Sequence, residues 1–307
     1  PGSPRIYVQN RDSNNVSVID GESNIVIATI TVGMQPFGGG IDSATHRLYV
    51  VNSGSGNVSV INTQSNEIIA TITTGNNPRG GTINQATNKI YINNGGSGNV
   101  SVIDGVTNTV IATITVGAQP LESSADVLLN KVYVPNLNSG NVSVIDGVTD
   151  TVIATITVGT QPANVGINPA TQRAYVSNYG SGTVSVINTT NDTIISTITV
   201  GGHPVGVSTN ALTNQIYVAN TDGNVFVIDG SNNTVTATSS IGPKSRELAI
   251  NPFPTFFLSN FAATLLYATL GDIAGNQVAV IDQVTSTVIA TITVGNAPVW
   301  IGIDPFV

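Results

Sequence analysis

The groups best suited to chemistry in this chain are scarce, and they gather at matching places in the sequence. Arg79, Glu122, His203, Arg246, Glu247 and Trp300 all lie in or just after short turns that separate recurring blocks. Aligning the blocks places Phe37, Arg79, Leu121, Ala163, Val205, Arg246 and Val299 at one position. The next position holds Gly38, Gly80, Glu122, Asn164, Gly206, Glu247 and Trp300, so the blocks diverge here while agreeing almost everywhere else. Arginine forks suit a carboxylate or another anion. Trp300 and Phe37 suit stacking on an apolar or sugar face. Glu122, Glu247 and His203 are the side chains that hold a cation or exchange protons. The alternative is a water-filled channel that tolerates any polar residue, with Arg246 and Glu247 paired to neighbours.

The blocks that must position these residues recur at a fixed period. Gly33, Gly75, Gly117, Gly159 and Gly201 stand 42 residues apart, and Gly242 and Gly295 continue the series. A period of this size signals a repeat architecture. Within one repeat, Gly81 to Asn84 reads as a short strand A and K-I-Y-I-N (89–93) as strand B, rich in aromatic and β-branched residues. The loop N-G-G-S-G follows, with glycines that accept positive φ. N-V-S-V-I-D (99–104) alternates as strand C, and T-V-I-A-T-I-T-V (109–116) as strand D. Four short antiparallel strands per repeat make a propeller blade. The expected fold is therefore all-β: one domain over residues 1–307, a seven-bladed β-propeller with blade boundaries near the seven glycines. The C-terminal P-V-W-I-G-I-D (298–304) matches strand A and the N-terminal R-I-Y-V-Q-N (5–10) matches strand B. These two should pair in one composite blade and close the ring, leaving no free edge there.

Composition limits the function. Charged residues make up 8% of the chain and the net charge is −8, with no basic stripe, so nucleic acid is not expected as a partner. No apolar run is long enough to span a bilayer. There is no cysteine, which excludes disulfides and thiol catalysis. No G-x-S-x-G, H-E-x-x-H or phosphate loop occurs, so no catalytic residue, resident metal or cofactor is assigned. No signal peptide is visible, although Pro1-Gly2-Ser3 is compatible with a vector remnant and a leader left out upstream.

Several recurrent residues have simpler readings than chemistry. Asp20, Asp104, Asp146, Asp229 and Asp282 close strand C and are expected to cap turns rather than to bind Ca²⁺ one per blade. Asn15, Asn57, Asn99 and Asn141, each in N-V-S, and also Asn191 and Asn232, fit the glycosylation pattern; loop structure explains them without sugar. The tyrosines of strand B (Tyr7, Tyr49, Tyr91, Tyr133, Tyr175, Tyr217, Tyr267) are expected to pack between blades. One repeat is longer by about eleven residues, and its added segment carries Phe253, Phe256, Phe257 and Phe261. That segment reads equally as a partner-docking patch on the face opposite the turns and as a loop folded over the channel floor.

The strand-B motifs Y-V-Q-N (7–10), Y-V-V-N (49–52) and Y-V-P-N (133–136), with N-V-S-V-I-D and G-x-x-P between blades, resemble the Y-V-T-N β-propeller repeat family. The resemblance covers nearly the whole chain. It implies a secreted, periplasmic or surface-layer protein, and some seven-bladed relatives are lactonases or lyases. The leading expectation is a non-catalytic extracytoplasmic binding or scaffold module, monomeric, whose partner is a protein or carbohydrate at the cell surface. One alternative is a lactonase-like hydrolase or lyase at the channel mouth. The other is a purely structural surface-layer unit.

Overall fold

The computed structural model describes residues 3–242, 245–250, 265–271 and 275–305. Among them every regular element is a β-strand, and the strands form seven four-stranded antiparallel sheets. Each sheet runs A-B-C-D from the channel outward, as in A Pro36–Asp42, B Arg47–Asn52, C Asn57–Asn62 and D Glu67–Thr73. The ring closes as expected: Pro298–Asp304 pairs with Arg5–Asn10, with Ile6 opposite Ile303 and Val8 opposite Ile301. This composite sheet is blade 1, and the blades are numbered from it in chain order.

Burial explains why these segments are strands. Strands B and C bury both faces between neighbouring sheets, so their alternating Val, Ile and Tyr fill the seams between blades. Tyr91, Val100 and Val102 of blade 3 pack on Val132, Val134 and Ile145 of blade 4 in one such seam. Strand D is exposed along most of its length, and Ile27, Ile69, Ile111, Ile153, Ile195 and Ile289 stand out at bulges on this outer edge. A bulge bends an edge strand and spoils it as a template for pairing with other chains.

The recurrent polar residues build the frame. The last Asn of strand B reaches strand C: Asn94 Nδ2 donates to Asn99 Oδ1 at 2.8 Å and to Ser101 Oγ at 2.9 Å. The same trio recurs at Asn10, Asn52 and Asn136. The Asn of each N-V-S is thus a structural acceptor. Gly75 lies directly over Asn94, where a Cβ would stand 2.6 Å from the amide carbon, so the turn glycine makes room for the trio. The strand-C aspartates cap turns: Asp104 Oδ1 accepts the N–H groups of Val106 and Thr107, and Asn62 does the same for Gln64 and Ser65. The tyrosines bridge blades, with Tyr7 donating to Thr63 O and Tyr133 to Asp192 Oδ1.

One strand departs from the pattern. In blade 4 strand A shrinks to Ser124–Asp126, preceded by isolated bridges Pro120–Asn136 and Glu122–Asn164. Strand B carries Pro135 here, which has no N–H for the ladder. Residues 253, 256, 257 and 261 of the phenylalanine-rich insertion lie outside the described residues.

Candidate functional site

Strand A begins at one mouth of the channel, and its second and third residues set what the mouth contains. Three of these A segments are held by the preceding blade. Gln9 Nε2 donates to Gly38 O at 2.8 Å, Asn93 Nδ2 to Leu121 O, and Ser177 Oγ to Val205 O. In blade 7, Glu247 N–H donates to Thr269 Oγ1 of its own sheet at 3.0 Å. These strand-B residues were not singled out from the sequence, where they read as ordinary variation next to a constant Asn.

A cavity of about 80 Å³ sits at this level, lined by Phe37, Leu121, Glu122, Ala163, Asn164, Val205, Gly206, Arg246, Glu247 and Val299. Five of the sequence-predicted residues, Phe37, Glu122, Asn164, Arg246 and Glu247, therefore line one cavity at the mouth. Glu122 leans across two neighbouring blades. A Cβ at Gly38 would fall 2.1 Å from its Oε1, and one at Gly80 2.4 Å from its Oε2. Both glycines hold positive φ, +82° and +84°, so any side chain there would be strained as well as obstructed. The divergence of the repeats is thus a fit of sizes, with glycines making room for a glutamate. Across the channel, Asn164 is buried, and its amide donates to Glu247 Oε2 at 3.1 Å and Oε1 at 3.4 Å.

Both glutamates are half-buried and face the cavity. Burial pushes Glu122 up to about 8, against the Gly81 N–H that its carboxyl accepts. Glu247 is raised well above the ordinary carboxylate range, first by burial and then by the charge of Glu122, while the Leu248 N–H and the Asn164 amide oppose the shift. Two such groups in one cavity titrate together, each opposing the ionisation of the other. The arrangement can donate and accept hydrogen bonds, take up a cation, or pass a proton.

The other predicted residues lie elsewhere. Trp300 does not line the cavity. It is 8% exposed and packs with Tyr7, Val16, Val18, Leu48 and Val50 in the seam between blades 1 and 2. Gly302 admits it there, since a Cβ on Gly302 would lie 2.3 Å from the indole. The expected stacking of a ligand on Trp300 is therefore corrected. His203 stands on the rim, stacked on Tyr179 with ring centroids 4.7 Å apart. Its Nδ1 is 3.1 Å from Tyr179 O, which fixes the proton on that nitrogen and turns Nε2 outward. Arg79 lies over Phe37, 5.5 Å from the ring centre, on the outer side of the cavity wall. It faces a second pocket of about 200 Å³ lined by Arg11, Asp12, Gln35, Phe37, Ser53 and Arg79. Arg11 has no counterpart among the sequence-predicted residues, because it lies in a B–C loop and not after a G-x-x-P turn.

The family model of the cytochrome D1 heme domain matches residues 6–136, less than half of the chain. No curated protein matches the sequence. Among solved structures, a functionally unknown protein from Desulfotomaculum acetoxidans is similar with a TM-score of 0.83 and 15% identity, over 97% of this chain and 98% of that one. Hydrazine synthase of Kuenenia stuttgartiensis follows at 0.77 and 17%, over 90% and 92%. The dihydro-heme d1 dehydrogenase NirN gives 0.69 and 14% over 94% of this chain, which spans only 63% of NirN. At these identities the likeness is one of fold, and a shared fold carries no chemistry with it: the chain is a seven-bladed β-propeller similar over part of its length to the cytochrome D1 heme domain.

Proposed function

We propose that the chain is a non-catalytic binding propeller of the Y-V-T-N type, working outside the cytoplasm as a monomer. Its channel mouth takes a small polar ligand, on a cell-surface protein or carbohydrate or free in solution. The observation that carries this reading is the cavity of Glu122, Asn164 and Glu247, built where otherwise uniform repeats diverge and fitted by glycines at 38, 80 and 206. A frame that needed only to close the channel would be satisfied by apolar side chains, without the cost of enclosing two carboxyls.

A haem does not fit this mouth. The cavity of about 80 Å³ is far below the roughly 300–1,000 Å³ of pockets that enclose drug-sized ligands. His203 lies outside it against Tyr179, and among the described residues no group of three His, Cys, Asp or Glu is placed to hold a metal ion.

The test is a thermal-shift and NMR screen of small polar molecules against wild type, Asn164→Ala and Glu247→Gln. The expected hit stabilises wild type and loses its effect in both variants. Hits that act equally on all three proteins would place binding away from the mouth. The raised Glu122 favours one second reading, a proton-transferring hydrolase or lyase. Turnover of a lactone panel by wild type that vanishes in Glu247→Gln would replace the binding reading by that one.

A further inference from the structure

The chain has nine Lys and Arg, and their uses divide by position. Five tie blades together at the far face. Arg5, Arg47 and Arg173 donate to the carbonyls of Thr63, Gly105 and Gly230. Lys89 and Lys131 donate to Gly147 and Thr189 carbonyls and pair with Asp150 and Asp192. Lys244 lies outside the described residues. The remaining three, Arg11, Arg79 and Arg246, are all at the mouth.

Arg11 and Arg79 share the 200 Å³ pocket. Arg11 is engaged by Asp12, Nε to Oδ1 at 2.8 Å and Nη2 to Oδ2 at 3.3 Å. Arg79 forms no ion pair among the described residues; its polar contact is a 3.3 Å hydrogen bond to Asn77 Oδ1. Burial and the nearby Arg11 charge both lower its pKa, as expected of a cation held beside another cation. Its guanidinium carbon lies over the Phe37 ring, 5.5 Å from the centre, a cation–π contact that helps to position the fork. Phe37 is also a wall of the neighbouring cavity, beside Leu121, Ala163, Val205 and Val299.

We propose that the Arg79–Arg11 pocket is a subsite for the carboxylate of a small apolar acid, whose body lies along Phe37 toward the Glu122 cavity. This rests on the mouth being a binding site. The fork of Arg79 matches a planar carboxylate at two points, and Asp12 already shows a carboxylate seated on Arg11 in this pocket. Charge selects a monoanion. Two arginines and one aspartate leave a single positive charge in the pocket, which one carboxylate neutralises, and the chain's −8 opposes a second negative charge twice over. Apolar walls next to the subsite give the uncharged part of the acid its place.

The experiment uses benzoate, benzyl alcohol and inorganic sulfate as probes of the full chain at pH 7, read by unfolding midpoint and by chemical shifts. Benzoate is expected to raise the midpoint of wild type by mass action, with the alcohol and sulfate nearly inert. Arg79→Gln should lose the benzoate increment while its own midpoint stays level or rises, because a like-charge contact is gone. Arg79→Lys keeps the charge but loses the fork, and should weaken benzoate by about tenfold or more. Glu122→Gln should still bind benzoate. Equal increments in wild type and Arg79→Gln would overturn the subsite, as would benzyl alcohol or sulfate matching benzoate. A benzoate effect lost in Asn164→Ala and kept in Arg79→Gln would also overturn it, while leaving the mouth as the binding site.

Discussion

The two ends of the inner strands treat charge in opposite ways. At the far end cations meet acceptors on the next blade, carbonyls for the arginines and carboxylates as well for the lysines: Lys131 Nζ is 2.8 Å from Asp192 Oδ2, and Tyr133 donates to the other oxygen of the same carboxylate. At the mouth like stands beside like, Glu122 with Glu247 and Arg79 with Arg11. The same repeat supplies both ends, so the difference is not imposed by the fold. The far end holds neighbouring blades together and is selected for satisfaction. The mouth gathers like-charged groups of both kinds within one short span, joined by Phe37, and it is on this arrangement that the proposed ligand site rests.

The largest effect should come from breaking the satisfied end. Asp192→Asn keeps a residue suited to the positive φ of 59° found there, since Asn occupies this turn position in several other blades. It strips Lys131 of its counter-charge in a half-buried seam. A loss of about 1–2 kcal/mol in denaturant unfolding is expected, discounted from the figure for fully buried pairs because both side chains keep some solvent contact. Adding Lys131→Arg imitates the Arg47–Asn108 arrangement, where the guanidinium donates to the Gly105 carbonyl, and should restore most of the loss. A single variant as stable as wild type would mean that the far end is not held by charge.

The far end was legible in the sequence and the mouth only partly. At the far end the strand-C aspartates and the tyrosines recur, so one turn and one seam explain them, and the N-V-S asparagines beside the mouth recur in the same way as part of the frame. Closure by residues 298–304 was legible for the same reason. At the mouth, alignment identifies which backbone positions arrive there but not where a long side chain then goes. Glu122 crosses to Gly80 and Gly38, whereas Trp300 at the aligned position turns sideways into the seam that Gly302 leaves open. For Glu122 that choice depends on glycines in two other blades, a three-dimensional relation that no single repeat contains, and for Trp300 on Gly302 two residues along its own strand. Arg11 escaped because it enters the mouth from a different loop.

A smaller effect, opposite in sign, should follow at the unsatisfied end. Glu122 ionises near 4.3 in an unfolded chain and at about 8 in the fold. Between those values the unfolded state has released a proton that the folded state still holds, so this residue costs stability as pH rises through the interval. Below about 4.3 both states are protonated and the cost is absent. Glu122→Gln, a neutral mimic of the acid, should match wild type near pH 4 and become the more stable protein toward pH 8. Melting curves across this range decide it. A variant less stable at pH 8 than at pH 4, relative to wild type, would mean that the carboxylate is stabilised at the mouth, by a cation or by a partner.

The smallest effect should come from Asp104, which tests whether the far end has any appetite for ligands. Its carboxylate is held below the ordinary range by the backbone N–H groups of Thr107 and Val106, a turn cap rather than a cation site. Asn62 and Asn188 cap the same turn in two other blades with an amide oxygen. Asp104→Asn keeps that acceptor and should leave the melting temperature within about a degree or two of wild type. Millimolar Ca²⁺ should likewise shift neither protein. A Ca²⁺-dependent rise in wild type that Asp104→Asn diminishes would make the far face a ring of cation sites. The contrast between a satisfied end and a ligand-ready end would then collapse.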